Sequence, residues 1–120
     1  MTILIVEDNI GVRRLLRWAL NGIAAVVHEC SDGSRALAAY EAHRPNVVLM
    51  DIRMKEVDGL LATREIMRHD STARIIIVTD YDDEQLRAAA AEAGARAYFL
   101  KQNLTELAKL VAAVAGPSTS

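Results

Sequence analysis

The chain has 120 residues, 52% of them apolar, and a formal net charge of −2, which suits one domain around one core and gives no basic footprint for DNA or RNA. One Phe, one Trp and three Tyr are the whole aromatic content, so the expected core is aliphatic. The longest apolar run, Leu110 to Ala115, is far short of a membrane span, no signal-peptide pattern is visible, and the single Cys30 excludes an intrachain disulfide, which together point to a soluble cytoplasmic protein.

Taken in order, Ile3-Leu4-Ile5-Val6 reads as a strand that runs into Glu7-Asp8. Val12, Leu15, Leu16, Ala19, Leu20 and Ile23 then recur on one helical face. Ala24 to Val27 reads as a short second strand, and Ala36, Leu37 and Tyr40 mark a second helix that Arg44-Pro45 ends. Val47-Val48-Leu49-Met50 runs into Asp51. A third helix is marked by Gly59, Ala62, Ile66 and Met67. Ile75-Ile76-Ile77-Val78 runs into Thr79-Asp80, followed by a fourth helix with Leu86, Ala89, Ala90 and Ala93, closed by Gly94. Ala97-Tyr98-Phe99-Leu100 runs into Lys101, and Leu104, Leu107, Leu110, Val111 and Val114 mark a fifth helix with Asn103 and Glu106 at capping-box spacing. Residues 116–120, Gly-Pro-Ser-Thr-Ser, read as a tail or linker stub after a domain spanning 1–115. Strands alternating with helices imply a parallel α/β sheet with right-handed crossovers. The runs at 47–50 and 75–78 are apolar without alternation, as strands buried on both faces are.

In such a sheet the residues at the strand ends meet at one edge, where ligands bind. Here that edge collects three carboxylates, a hydroxyl and an ammonium. Phosphate-binding folds place Gly, Ser or Thr after the first strand. Glu7-Asp8 would repel an anion there unless a cation intervenes, and Mg²⁺ suits carboxylates, water and phosphate oxygens. Either Asp8 or Asn9 could instead simply cap the first helix. Asp51, at the matching end of another strand, has the chemistry of a nucleophile that forms an acyl phosphate, or it simply begins a loop. Thr79 can donate to a phosphoryl oxygen, and Lys101 can pair with a carboxylate and then with a phosphoryl group. Taken one at a time, each has an ordinary surface or strand-end explanation; the combination is specific.

On these residues the chain resembles the receiver domains of bacterial two-component response regulators over residues 2 to 115. The matching segments are Ile3-Leu-Ile-Val-Glu-Asp-Asn9, Val47-Val-Leu-Met-Asp-Ile-Arg-Met54, Asp58-Gly59-Leu60, Ile77-Val-Thr79 and Gly94-Ala-Arg-Ala-Tyr-Phe-Leu-Lys101. The resemblance implies a doubly wound, flavodoxin-like five-stranded sheet in the order 2-1-3-4-5 with helices on both faces. It implies that Asp51 accepts a phosphoryl group from a phosphohistidine of a sensor histidine kinase, and that Glu7, Asp8, Asp51 and the backbone carbonyl of Arg53 hold Mg²⁺. Thr79 and Lys101 would hold the phosphoryl oxygens, and Thr79 and Tyr98 would act as the switch, Tyr98 turning inward. The face made by the fourth helix, fifth strand and fifth helix would then engage an output domain or a downstream protein, with a homodimer as a further option. Direct contact with nucleic acid or membrane is not implied. The domain would catalyse only its own phosphorylation and dephosphorylation. Three positions depart from the family pattern. Lys55 stands where proline is usual, Gln102 follows the lysine where many members have proline, and Asp80 stands where a small residue is usual, so a modulating effect on phosphoryl-transfer kinetics is expected of Asp80.

Other functions fit less well. A receiver-like interaction module that no longer uses phosphate is the main alternative, and the five site residues argue against it. A haloacid-dehalogenase phosphatase carries an acid two residues after its nucleophile, where this chain has Arg53. A flavodoxin-like cofactor binder needs a phosphate loop where Glu7-Asp8 stand. His28, His43 and His69 share no ligand spacing, and Cys30 reads as a small buried residue. Asp82 or Asp83 reads as the cap of the fourth helix. Arg13, Arg14 and Arg17 form either a solvated face or part of a kinase-docking surface. The alanine-rich fourth helix is expected to be the least firmly held.

Overall fold

The computed structural model describes residues 1–23, 26–53 and 58–116. Five strands, β1 (Thr2–Val6), β2 (Val26–Cys30), β3 (Val47–Asp51), β4 (Ile75–Thr79) and β5 (Ala97–Leu100), alternate with five helices. These are α1 (Ile10–Ala19), α2 (Ala36–His43), α3 (Gly59–His69), α4 (Glu84–Ala93) and α5 (Leu107–Ala115). All strand pairings are parallel, and the sheet order is β2-β1-β3-β4-β5. The chain steps from β1 outward to β2 and then back across to β3, so a crevice opens between β1 and β3 at their C-terminal ends.

Alternation along the central strands divides the core in two. Leu4, Val6, Val48, Met50, Ile75 and Ile77 face Ala36, Tyr40, Ala62, Ile66 and Ala90 of α2, α3 and α4. Ile3, Ile5, Val47, Leu49, Ile76 and Val78 face Leu16 and Leu20 on one side and Leu107 and Val111 of α5 on the other. Every residue of β3 and β4 is buried, which explains why those runs carry no polar alternation.

Side-chain caps fix the helix starts next to the site. Asn9 accepts from the Val12 amide at 3.0 Å, Asp58 from Leu61 at 2.9 Å and Asp83 from Leu86 at 3.0 Å. Asn9, not Asp8, is therefore the cap of α1, and Asp83, not Asp82, that of α4; Asp82 pairs with Arg87 at 3.1 Å. Gly94 ends α4 with φ 107°, a left-handed value that suits glycine. The only buried residues of α4 are Ala90 and Ala93, so little apolar area secures it.

Two elements differ from the sequence reading. The second strand, read as residues 24–27, runs over Val26–Cys30 and so extends three residues further; Ala24 and Ala25 lie outside the described residues. As an edge strand beside β1, β2 carries the polar His28 and Glu29, and the apolar signal therefore stopped short of its end. The fifth helix has no capping box. Lys101–Glu106 form 3₁₀ turns, Asn103 is non-helical at φ −101°, and α5 begins at Leu107 with no side-chain cap. Lys101, drawn to the acids at the strand ends, opens this tight stretch. Lys55 and residues 117–120 of the expected tail lie outside the described residues.

Thr63 of α3 is fully buried, and its hydroxyl has no hydrogen-bond partner among the described residues. Thr63→Val removes that desolvated group at nearly constant volume and is expected to raise stability by about 1 kcal/mol in urea unfolding. An unchanged or lower midpoint would show that the hydroxyl is satisfied in solution.

Candidate functional site: an acidic cluster around one lysine

The strand register brings the polar residues together. Val6 lies opposite Met50, Asp51 opposite Val78, and Thr79 opposite Leu100. Glu7, Asp51, Thr79 and Lys101 thus sit at the ends of four adjacent strands. Carboxylate oxygens of Glu7, Asp8 and Asp51 all lie within 4.8 Å of one another. Lys101 Nζ donates to Glu7 Oε1 at 2.9 Å and to Asp51 Oδ1 at 3.2 Å. Asp80, largely exposed, approaches the same ammonium at 3.9 Å.

Burial decides the electrostatics. Glu7 is 2% exposed, and desolvation pushes its carboxyl up to about 7, helped by the Asp51 charge and opposed by Lys101. Burial raises Asp51 as well, again against Lys101. The lysine is itself raised, because its bonds to Glu7 and Asp51 together outweigh the desolvation that opposes them. Three acids with one ammonium among them form an oxygen-rich, electron-rich donor set, which fits a hard divalent cation.

Thr79 is buried, and its Oγ1 accepts from the Tyr81 amide at 3.2 Å. Tyr98, half-buried, donates its hydroxyl to the Tyr81 carbonyl at 2.6 Å. The Arg87 guanidinium lies over the Tyr98 ring at 4.5 Å, and that of Arg53 over the Tyr81 ring at 4.4 Å. Tyr81 is thus the hub that links Thr79, Tyr98 and Arg53. The structure brings together Glu7, Asp8, Asp51 and Lys101, puts Thr79 at the neighbouring strand end, and leaves Asp80 at the rim.

The supporting roles of three residues, Arg13, Gly59 and Tyr81, escaped the sequence reading. Arg13 donates from Nη1 to the Glu7 carbonyl at 2.8 Å and from Nε to Glu29 at 2.8 Å, while Arg17 pairs with the same carboxylate. Arg13 thereby holds the loop that presents Asp8. A Cβ on Gly59 would stand 1.9 Å from the Asp51 carbonyl oxygen, so only glycine lets α3 start against the end of β3. Its signal was a glycine directly after the cap Asp58. Tyr81 had no sequence signal. His28 and His43, distant in sequence, stack at 3.7 Å between ring centroids.

A doubly wound sheet with carboxylates, a hydroxyl and an ammonium at its switch point defines a class of phosphoryl-handling proteins. The family model for the response regulator receiver domain matches residues 3–115. The chemotaxis protein CheY of Bacillus subtilis is 38% identical over 101 residues, covering 82% of this chain and 83% of that protein. The transcriptional regulatory protein YhcZ of Bacillus subtilis is 38% identical over 108 residues, covering 88% of this chain; the chain spans 50% of that longer relative. A chain of the CheX–CheY–BeF3–Mg²⁺ complex from Borrelia burgdorferi superposes with a TM-score of 0.85 at 26% identity, covering 95% of this chain and 88% of that one. The chain belongs to the response regulator receiver domain family. Receiver domains are phosphorylation-operated signalling switches, and an acidic Mg²⁺ pocket is part of that family. No described helix is long and apolar enough to cross a membrane.

Gly59→Ala is expected to cost about 3 kcal/mol, or to displace Asp51 measurably in a crystal structure; a neutral change would mean that α3 can move away freely. For Glu7, the folded carboxyl lies above its ordinary value, so its contribution to stability is full at low pH and is lost as pH rises from about 4.5 to about 7. In chelator, Glu7→Gln is therefore expected to gain stability relative to the wild type across that window and to stay level above it. Calorimetric melting of both proteins across the pH range checks this; a constant difference would contradict it.

Proposed function

We propose that Asp51 accepts a phosphoryl group from the phosphohistidine of a sensor histidine kinase, within a switch domain covering residues 1–115. A carboxylate oxygen of Asp51 attacks phosphorus, the P–N bond breaks, and the imidazole leaves with its electron pair. Glu7, Asp8, Asp51 and the Arg53 carbonyl would hold Mg²⁺, which when bound offsets the charge of acids and phosphoryl oxygens. Thr79 donates its hydroxyl to one phosphoryl oxygen. Lys101 exchanges its bonds to the carboxylates for a bond to another. The observation that carries this reading is the convergence of Glu7, Asp8 and Asp51 within 4.8 Å around the Lys101 ammonium.

Movement of Thr79 is passed to Tyr98 through Tyr81, and from Tyr98 to Arg87 of α4, because these groups already touch. The weakly secured α4, with β5 and α5, is the face offered to an output domain or a separate downstream protein, and a second copy of the chain is a further candidate. A sensor kinase as partner and a bacterial cytoplasmic location are part of the same proposal, with catalysis limited to the domain's own phosphorylation and dephosphorylation.

Intact mass after incubation with a small acyl-phosphate donor tests the proposal. The expected result is a Mg²⁺-dependent gain of one phosphoryl group that Asp51→Asn loses. No gain by a folded wild type, with no binding of fluoroberyllate either, would favour a module that works without phosphate. Asp80 adds a fourth negative charge at the rim and competes for Lys101. Asp80→Ala is expected to change the phosphorylation rate by about threefold, upward for an anionic donor, as befits an exposed charge. Stopped-flow rates of phosphorylation and dephosphorylation that both stay unchanged would remove Asp80 from the mechanism.

A further inference from the structure

A polar cavity of about 260 Å³ lies at the opposite edge of the sheet, where α2 ends and β3 and β4 begin, and the switch chemistry does not use it. Tyr40, Arg44, Asn46, Asp70, Thr72 and Arg74 line it. Its one carboxylate is already engaged. Asp70 Oδ2 accepts from the Tyr40 hydroxyl at 2.7 Å, and Oδ1 accepts from the Thr72 amide at 3.0 Å and the Thr72 hydroxyl at 2.6 Å. The Thr72 and Tyr40 bonds hold the Asp70 carboxyl below its usual range. Burial pushes the Tyr40 phenol up to about 12, so it remains a donor. Asn46 Oδ1 accepts from the Thr2 amide at 2.7 Å, which leaves its NH₂ as the group able to donate.

The two guanidinium groups are less occupied. Arg74 gives Nη1 to the Ala115 carbonyl at 2.8 Å. Among the described residues, no carboxylate lies within 4.0 Å of either Arg44 or Arg74. Two positive charges thus share a cavity with one negative charge, and N–H donors outnumber acceptors. Arg44 adds a separate observation. It is the one non-glycine residue among those described with positive φ, at 47°. Glycine would end α2 there without strain. The residue at this left-handed position instead carries a guanidinium that lines the cavity.

We propose that this cavity binds a tetrahedral oxyanion of the phosphate or sulfate type, free or as a monoester. Arg44 and Arg74 supply planar N–H forks that match such oxygens, and the Asn46 amide supplies a further donor. Asp70 orders the lining through Tyr40 and Thr72 rather than competing for the ligand. The site is at the far end of the strands from Asp51, so it stands whether or not Asp51 is phosphorylated.

Amide chemical shifts of the ¹⁵N-labelled chain, recorded without Mg²⁺, test the proposal in two titrations, one with sulfate and one with glycerol 3-phosphate. Saturable shifts at Arg44, Asn46, Thr72 and Arg74 are expected. Response to both ligands assigns a free oxyanion, and response to the ester alone assigns an esterified one. Arg44→Gly is expected to weaken binding about tenfold while raising Tm by about 3 °C through relief of the backbone strain. Arg74→Gln is expected to weaken binding to a similar degree. Should Arg44→Gly melt lower than the wild type, Arg74→Gln decides the outcome. No saturable shift with either ligand, shifts confined to Thr79 and Lys101, or undiminished affinity in Arg74→Gln would overturn the proposal.

Discussion

One ammonium among three carboxylates is the constraint around which this domain is arranged. Glu7, Asp8 and Asp51 converge within 4.8 Å, and Lys101 reaches two of them. Like charges so close and so buried repel strongly. The cluster exists because β1, β3 and β5 deliver it by main-chain pairing, and because an aliphatic core on both faces of β3 and β4 fixes that pairing. Gly59 lets α3 begin against the Asp51 carbonyl, and Arg13 ties the Glu7 carbonyl to Glu29 across β2. Removing any of these supports would let the acids relax apart.

The same imbalance of charge makes the site responsive. Without a cation, burial holds the Glu7 carboxyl near neutrality, at about 7. A divalent cation would ionise it, and on the proposed reading a phosphoryl group would then draw Lys101 and Thr79 toward itself. The hydrogen bonds through Tyr81 to Tyr98, and the Arg87 guanidinium over the Tyr98 ring, offer a continuous physical link from that event to α4. The buried residues of α4 are two alanines, so its displacement costs little packing.

Most of this was legible in the sequence because it depends on signals with a fixed period or a fixed place. Apolar runs without alternation marked β3 and β4, and the polar residue closing each run marked the site. The failures have equally physical causes. An edge strand can carry His28 and Glu29 in place of apolar residues, which hid the true extent of β2. The expected capped start of α5 is instead a stretch of 3₁₀ turns in which Asn103 is non-helical, so its side chain does not cap the helix. Arg13 looked like any charge on an exposed helix face, and only the fold shows that its partner is a backbone carbonyl. The stacking of His28 on His43 and the hub role of Tyr81 depend on contacts between distant segments, which no local pattern encodes.

The most direct test of the central claim is thermal unfolding against Mg²⁺ concentration near neutral pH, for the wild type and Asp8→Asn. Linkage requires a ligand that binds the folded state to raise Tm in a saturable way. Such a rise is expected in the wild type and its loss in Asp8→Asn, which leaves the Asn9 side chain in place as the cap of α1. A wild type indifferent to Mg²⁺, or an equal rise in both proteins, would contradict the claim that these three carboxylates form a cation site.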